Sequence, residues 1–172
     1  MTAFRSGPLA RWLLRAPAHV HDWNLGWLLG DRFLLLTHIG RRTGRPHRTV
    51  LEVIGTRPAA GEVLVLAGLG RSANWYRNLQ AHRTAEVMIG RRRYQATHRT
   101  LDEDEAVAAL AGYESRNRVV APIVRRVLSR LVGWRYDATD QGRHRLAREL
   151  PIVALRPAEA SNSPTSRKPI GE

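Results

Sequence analysis

Two stretches of the chain carry residue types at spacings suited to chemistry. The first, Thr37 to Thr49, reads THIGRRTGRPHRT and places Arg41, Arg42, Arg45 and Arg48 within eight residues, among Gly40, Gly44 and Pro46. Guanidinium forks grip phosphate or carboxylate oxygens in pairs, and glycines let backbone come close to a ligand. The pattern suits either a solvated basic hairpin or an anion-binding loop, and a strand on each side favours binding. The second, Leu66 to Leu79, reads LAGLGRSANWYRNL, with Gly68, Gly70 and Ala73 at G-x-G-x-x-A after a strand-like EVLVLA. That is the outline of a dinucleotide-binding turn.

The surroundings of the second stretch argue against that reading. A dinucleotide fold needs parallel β-α-β units and an acid about 20 residues past the glycines. Met88 stands there, followed by Ile89 and Gly90. Arg91, Arg92 and Arg93 suit a 2′-phosphate, but three strands precede the loop with no crossover helix. A parallel sheet is therefore not expected.

The elements that must position these stretches follow from hydrophobic pattern. Strands are expected at 32–38, 47–56 and 62–67, joined through Gly44-Arg45-Pro46 and Pro58-Ala59-Ala60-Gly61. Such short connections imply antiparallel neighbours. Ser72 to Ala81 reads as a helix with Ser72 as its N-cap. AEVMIG and RRRYQATHRTL read as a strand pair turning at Gly90-Arg91. Helices are expected from Leu101 to Ser115, from Pro122 to Val132 and from Asp140 to Glu149, with a last strand from Pro151 to Leu155. The second of these helices has Ile123, Val124, Val127, Leu128 and Leu131 on its apolar side. The expected fold is α+β, built on an antiparallel barrel.

The chain of 172 residues suffices for one domain with a real core. Three segments are expected: 1–30 helical, 31–156 the barrel, and 157–172 a polar tail of disordered composition. Absent cysteine excludes disulfides, thiolate metal sites and thiol nucleophiles. Residues 1–100 hold 16 Arg against 5 acids, whereas residues 101–172 hold 12 basic and 10 acidic residues. A basic half of this kind implies a polyanionic partner: nucleic acid, anionic membrane or a phosphorylated cofactor. No motif or exposed aromatic pattern for nucleic acid accompanies the charge, so no nucleic-acid partner is expected.

Leu9, Trp12, Leu13 and Ala16 share a helix face while Arg11 and Arg15 lie elsewhere; Trp23 and Trp27 follow. This helix suits packing over the barrel or lying on an anionic membrane surface. No run is long and apolar enough for a transmembrane helix and no signal peptide is visible, so a cytoplasmic location is expected, peripheral on the inner membrane face if the helix binds lipid. The histidines, including His19 and His21, lack metal-ligand spacing, and no metal is expected. Asp102 to Glu105 reads as a helix start, and Tyr113 either faces substrate or packs.

In the order G-R-R-T-G-R-P-x-R-T, strand, A-G-x-G-x-x-x-x-W-Y-x-N-L, then a strand pair with G-R-R-R-Y-Q-A-T, residues 25–101 resemble the deazaflavin (coenzyme F420)-dependent nitroreductases. GYESRN and ELPIVALRP further on fit the same resemblance. It implies a split β-barrel of the FMN-binding, pyridoxamine-phosphate-oxidase-like kind with flanking helices, and F420 as cofactor, with FMN as the alternative. It implies that Arg41, Arg42, Thr43 and Arg48, with Thr49 and Val50 beyond, hold the phosphate and oligoglutamate tail. Ala67, Gly68, Leu69, Gly70, Asn74 and Trp75 would line the ring. The loop before Trp75 is shorter than in many relatives, with Ala73-Asn74 where a proline often stands.

The reaction implied is hydride transfer from reduced deazaflavin to a small electron-poor acceptor, a quinone, enone or nitro compound. No residue is assigned a catalytic role. A non-catalytic F420- or flavin-binding protein is the first alternative, a basic nucleic-acid-binding module the second.

Overall fold

The computed structural model describes residues 31–119 and 121–158. The helix expected before residue 31, with Trp12, Trp23 and Trp27 and the membrane surface ascribed to it, lies outside them, as do residues 159–172. Six strands, β1 (Phe33–Ile39), β2 (Pro46–Arg57), β3 (Glu62–Leu66), β4 (Thr84–Ile89), β5 (Arg92–Thr100) and β6 (Ile152–Pro157), close into a barrel in the order β1-β2-β3-β6-β5-β4. Every pairing is antiparallel. Four helices accompany them: α1 (Asn74–Ala81), α2 (Glu103–Arg116), α3 (Ala121–Val132) and α4 (Asp140–Glu149).

The barrel closes because alternate residues point inward and are apolar. Leu34, Leu36, Leu51, Val65, Val87 and Leu155 fill its interior. A second core lies outside, where Ile54, Leu64, Ile152 and Ala154 meet Leu110, Leu128 and Leu146 of the helices. A register shift in β2 between Val53 and Gly55 serves both layers, since Leu51 joins the inner core and Ile54 the outer one. Arg116 Nη2 donates to Ile54 O at 2.8 Å and ties α2 to that bulge.

Helix α2 starts on a capping box. Glu105 N donates to Asp102 Oδ1 at 2.8 Å and Asp102 N to Glu105 Oε2 at 3.2 Å. Glu105 also accepts from Arg99 and Arg57, and these bonds, Arg99's first, hold its carboxyl down at about 2. Tyr113 packs rather than facing outward. Its hydroxyl donates to Glu52 Oε1 at 3.0 Å, and burial, then Glu52, pushes it up to about 12.

The structure departs from the sequence pattern at Ser72 and at Ile123. Ser72 does not cap α1: Gly70–Ser72 forms a separate 3₁₀ turn, Ser72 Oγ donates to Leu69 O, and Ala73 occupies the N-cap without a side-chain bond. Ile123 does not join the apolar side of α3; it is exposed, while Leu128 is buried and Val124 and Leu131 pack against the outer core. At the other end, Ala158 N still donates to Gln95 O at 2.8 Å.

Gly70 has φ +61, and a Cβ there would sit 2.9 Å from Glu149 O. Gly133 has φ +78 with nothing within 4 Å. Gly70→Ala should therefore cost about 2–4 kcal/mol, from strained backbone plus a clash with main chain, and Gly133→Ala only about 1 kcal/mol. Thermal melts should show a drop for Gly70→Ala at least twice that for Gly133→Ala; equal drops would contradict the close approach.

Candidate functional site

The arginine hairpin closes tightly. Gly40 N donates to Arg45 O and Gly44 N to Gly40 O, both at 2.8 Å. A Cβ at Gly40 would lie 2.7 Å from Thr43 Oγ1 and 2.8 Å from His47 Nε2, so a larger residue there would push both side chains out of place. Thr43 Oγ1 accepts from Arg45 N at 3.3 Å, which gives Thr43 a part in shaping the turn.

The hairpin is fastened to α1 through two asparagines, of which the buried Asn78 makes the shorter bonds. Asn78 is 4% exposed. Its Oδ1 accepts from Arg41 Nη1 at 2.9 Å and from Arg41 N at 3.2 Å. Its Nδ2 donates to His38 Nδ1 at 3.0 Å. His38 Nδ1 being the acceptor, the proton sits on Nε2, which donates to Thr49 Oγ1 at 3.2 Å. Arg41 Nη1 and Nη2 also reach Asn74 Oδ1, at 3.4 and 3.5 Å. The sequence stretches G-R-R-T-G and W-Y-x-N-L thus meet in space, bridged by Arg41.

Burial, then the His47 ring stacked 5.9 Å away, pushes His38 down to about 4. The ring is neutral at pH 7, as its role of acceptor toward Asn78 requires. Arg41 is also lowered, by desolvation and then by Arg77 and Arg42. The two neighbouring cations mark a local excess of positive charge. Arg42, Arg45 and Arg48 are exposed, and none is within ion-pair distance of a carboxylate among the described residues.

Along β2 the alternation separates the expected site residues. Arg48 and Val50 point outward and are exposed, whereas Thr49 turns inward to His38. In the second loop, Ala67 is fully buried and its N–H donates to Pro151 O at 2.8 Å. Gly68 is half-buried under Leu131 of α3, Leu69 is 53% exposed, and Gly70 lies against Glu149. Trp75 is buried in the barrel core, edge-on to Tyr76 at 6.1 Å. Arg42, Arg48, Val50, Leu69 and the amide edge of Asn74 therefore face the surface, while Thr49, Ala67 and Trp75 support it from beneath.

Asn78 and His38 were not singled out by sequence. The signal for Asn78 was present: it sits three residues after Trp75 and one before Leu79, a polar residue on the buried face of an amphipathic helix.

The model of the F420H(2)-dependent quinone reductase family matches residues 20–122. A solved structure described as an F420-H2 dependent reductase (FDR-A) is 19% identical, with a TM-score of 0.50 over 74% of this chain and 96% of that one. One described as a domain-swapped dimer is 17% identical, with a TM-score of 0.52 over 86% and 99%. Atu2129 of Agrobacterium tumefaciens, of unknown function, is 15% identical, with a TM-score of 0.51 over 92% of this chain and 60% of its own. At these identities the structures show a shared fold. No curated protein matches the sequence.

Replacing Asn78 with Ala leaves the Arg41 N–H and His38 Nδ1 without their partner in a buried place, a loss of about 2–3 kcal/mol. Hydrogen exchange should show faster opening of amides 40–49 than of β6 in that variant; unchanged exchange in the hairpin would contradict the clamp. His38 gives a pH signature. Its folded value of about 4 lies below the ordinary 6.5, so the unfolded chain binds the proton first on acidification. Its contribution is whole above pH 6.5 and is lost as pH falls toward 4, up to about 3 kcal/mol. Denaturation midpoints from pH 7 to 4.5 should fall less steeply for His38→Leu than for the parent chain.

Proposed function

The chain belongs to the F420H(2)-dependent quinone reductase family, and from that membership we propose that its arginine hairpin and second loop form one cofactor surface serving a quinone-type acceptor. It is a reductase whose cofactor is coenzyme F420.

The donor set fits that cofactor, which is a polyanion at one end and a flat ring at the other. Exposed Arg42, Arg45 and Arg48, with no carboxylate beside them among the described residues, suit the phosphate and oligoglutamate end. Arg41, already committed to Asn78, holds the loop while adding charge to the same patch. Exposed Val50 and Leu69 and the half-buried Gly68 suit the ring, as apolar surface and close backbone. When bound in reduced form, the cofactor supplies a hydride equivalent to an electron-poor acceptor.

The chain's own contribution is binding, orientation and partial exclusion of water. Asn78 fixes the hairpin to α1, so that the anion-gripping arginines and the second loop keep one spacing. Trp75 and Tyr76 anchor α1 in the barrel, and Tyr76 hydroxyl meets Thr100 Oγ1 at 3.3 Å. Leu131 packs over Gly68 and shields the loop on its α3 side. The observation that carries this reading is a concentration of arginines, without an ion-pair partner among the described residues, on a hairpin held rigid beside a glycine-bearing loop.

With F420H2 and menadione, the purified protein should oxidise the cofactor. Arg42→Gln and Arg48→Gln should each raise the KM for F420 about tenfold while changing kcat less than about twofold, since they remove a charge-assisted contact made equally in ground and transition states. Tight F420 binding without turnover on quinone, enone or nitro acceptors would overturn the reductase role of the surface. Unchanged KM in both variants would overturn the tail assignment.

A further inference from the structure

A second cationic feature lies past the residues of α1 that fasten the hairpin. A cavity of about 460 Å³ opens at the C-terminal end of α1, where Leu79 to Arg83 meet Thr97 to Arg99 of β5, Ala154 and Arg156 of β6, and Glu62. The hairpin is fastened to the same helix at Asn74, its first residue, and at Asn78, one residue before the cavity wall begins at Leu79. We propose that this cavity is a second binding site, for a small organic anion bearing a phosphate or carboxylate group.

The charges in the wall favour an anion. Glu62 is its one carboxylate, and Arg99 neutralises it with Nε to Oε1 at 2.8 Å and Nη2 to Oε2 at 3.1 Å. Arg99 is taken up further by Glu105 at 2.7 Å. Arg83 and Arg156 are left over. Neither lies within 4 Å of a carboxylate among the described residues, and the one side-chain bond of Arg156 there is a long one, 3.4 Å from Nε to Thr97 Oγ1. A wall with a cancelled acid and two uncommitted guanidinium forks attracts and orients an anion.

An independent observation is His82. Its Nε2 is the one buried side-chain polar atom without a hydrogen-bond partner among the described residues. His82 belongs to the wall of this same cavity. Its backbone is held in place, because His98 Nε2 donates to His82 O at 2.7 Å. A ligand oxygen in this cationic cavity would give that Nε2 the partner it lacks once the side chain turns toward it. The volume exceeds that of an inorganic ion, and Leu79, Ala81 and Ala154 supply apolar wall for a short carbon skeleton.

The site is tested by calorimetric titration of the full chain with inorganic phosphate, glycerol 3-phosphate and citrate at constant ionic strength. The expected result is a saturable site, tighter for the organic anions than for inorganic phosphate. It should weaken at least tenfold in Arg83→Gln/Arg156→Gln and several-fold in His82→Gln. The charge-matched pair Arg42→Gln/Arg48→Gln should leave it in place. Arg83 and Arg156 are exposed, so the first pair should melt as the parent chain does. Absence of saturable binding up to about 10 mM would overturn the site. So would equal weakening by both pairs, which marks net charge alone, or loss only in the hairpin pair, which moves the anion to the cofactor surface.

Discussion

A single buried amide, Asn78, joins the parts of this protein that matter. Burying an amide is unfavourable unless its hydrogen-bonding capacity is met, and here the partners are the backbone and guanidinium of Arg41 on one side and a neutral imidazole on the other. The chain His38–Asn78–Arg41 runs from the barrel interior to the surface. It converts the position of α1, set by Trp75, Tyr76 and Leu79 in the core, into the position of the arginine hairpin. A polyanion gripped there meets a preorganised loop, which lowers the entropy lost on binding.

The rest of the electrostatics is consistent with leaving that hairpin unpaired. Carboxylates elsewhere are engaged: Glu62 and Glu105 with Arg57 and Arg99, Glu114 with Arg143 and Tyr136, Glu103 with His144 and Arg148. These pairs knit α2, α4 and the β3 end of the barrel together. The hairpin arginines are thereby left without a carboxylate at ion-pair distance among the described residues, and such a cluster on a rigid loop serves recognition better than it serves stability.

Much of this was legible in the sequence. The six strands read out within one or two residues, because apolar and β-branched alternation is the direct consequence of a barrel with an inside and an outside. The acids of Asp102 to Glu105 announced α2, and Asp140–Glu149 matched α4. The G-x-G spacing was separable from a dinucleotide turn by its antiparallel surroundings. Gly70 shows why such spacing arises without a nucleotide: the constraint is a neighbouring carbonyl, Glu149 O. What stayed hidden was set by tertiary contact. Ser72 looks like a cap, but the positive φ at Gly70 inserts a 3₁₀ turn that shifts the helix start. Trp75 and Thr49 sit in motifs that point to a ligand, yet face inward as supports. Ile123 fits a helical apolar stripe, yet the packed side of α3 leaves it exposed.

The central claim is that the hairpin grips the anionic tail while the second loop takes the ring. It is tested most directly by titrating the protein with F420 and with the same deazaflavin ring lacking the phosphate and glutamate tail, at low and high salt. The account predicts at least about a hundredfold tighter binding of F420 at low salt, from two or more charge-assisted contacts, and a gap that narrows steeply as salt rises. Equal affinity for the two molecules, or a difference insensitive to salt, would contradict it.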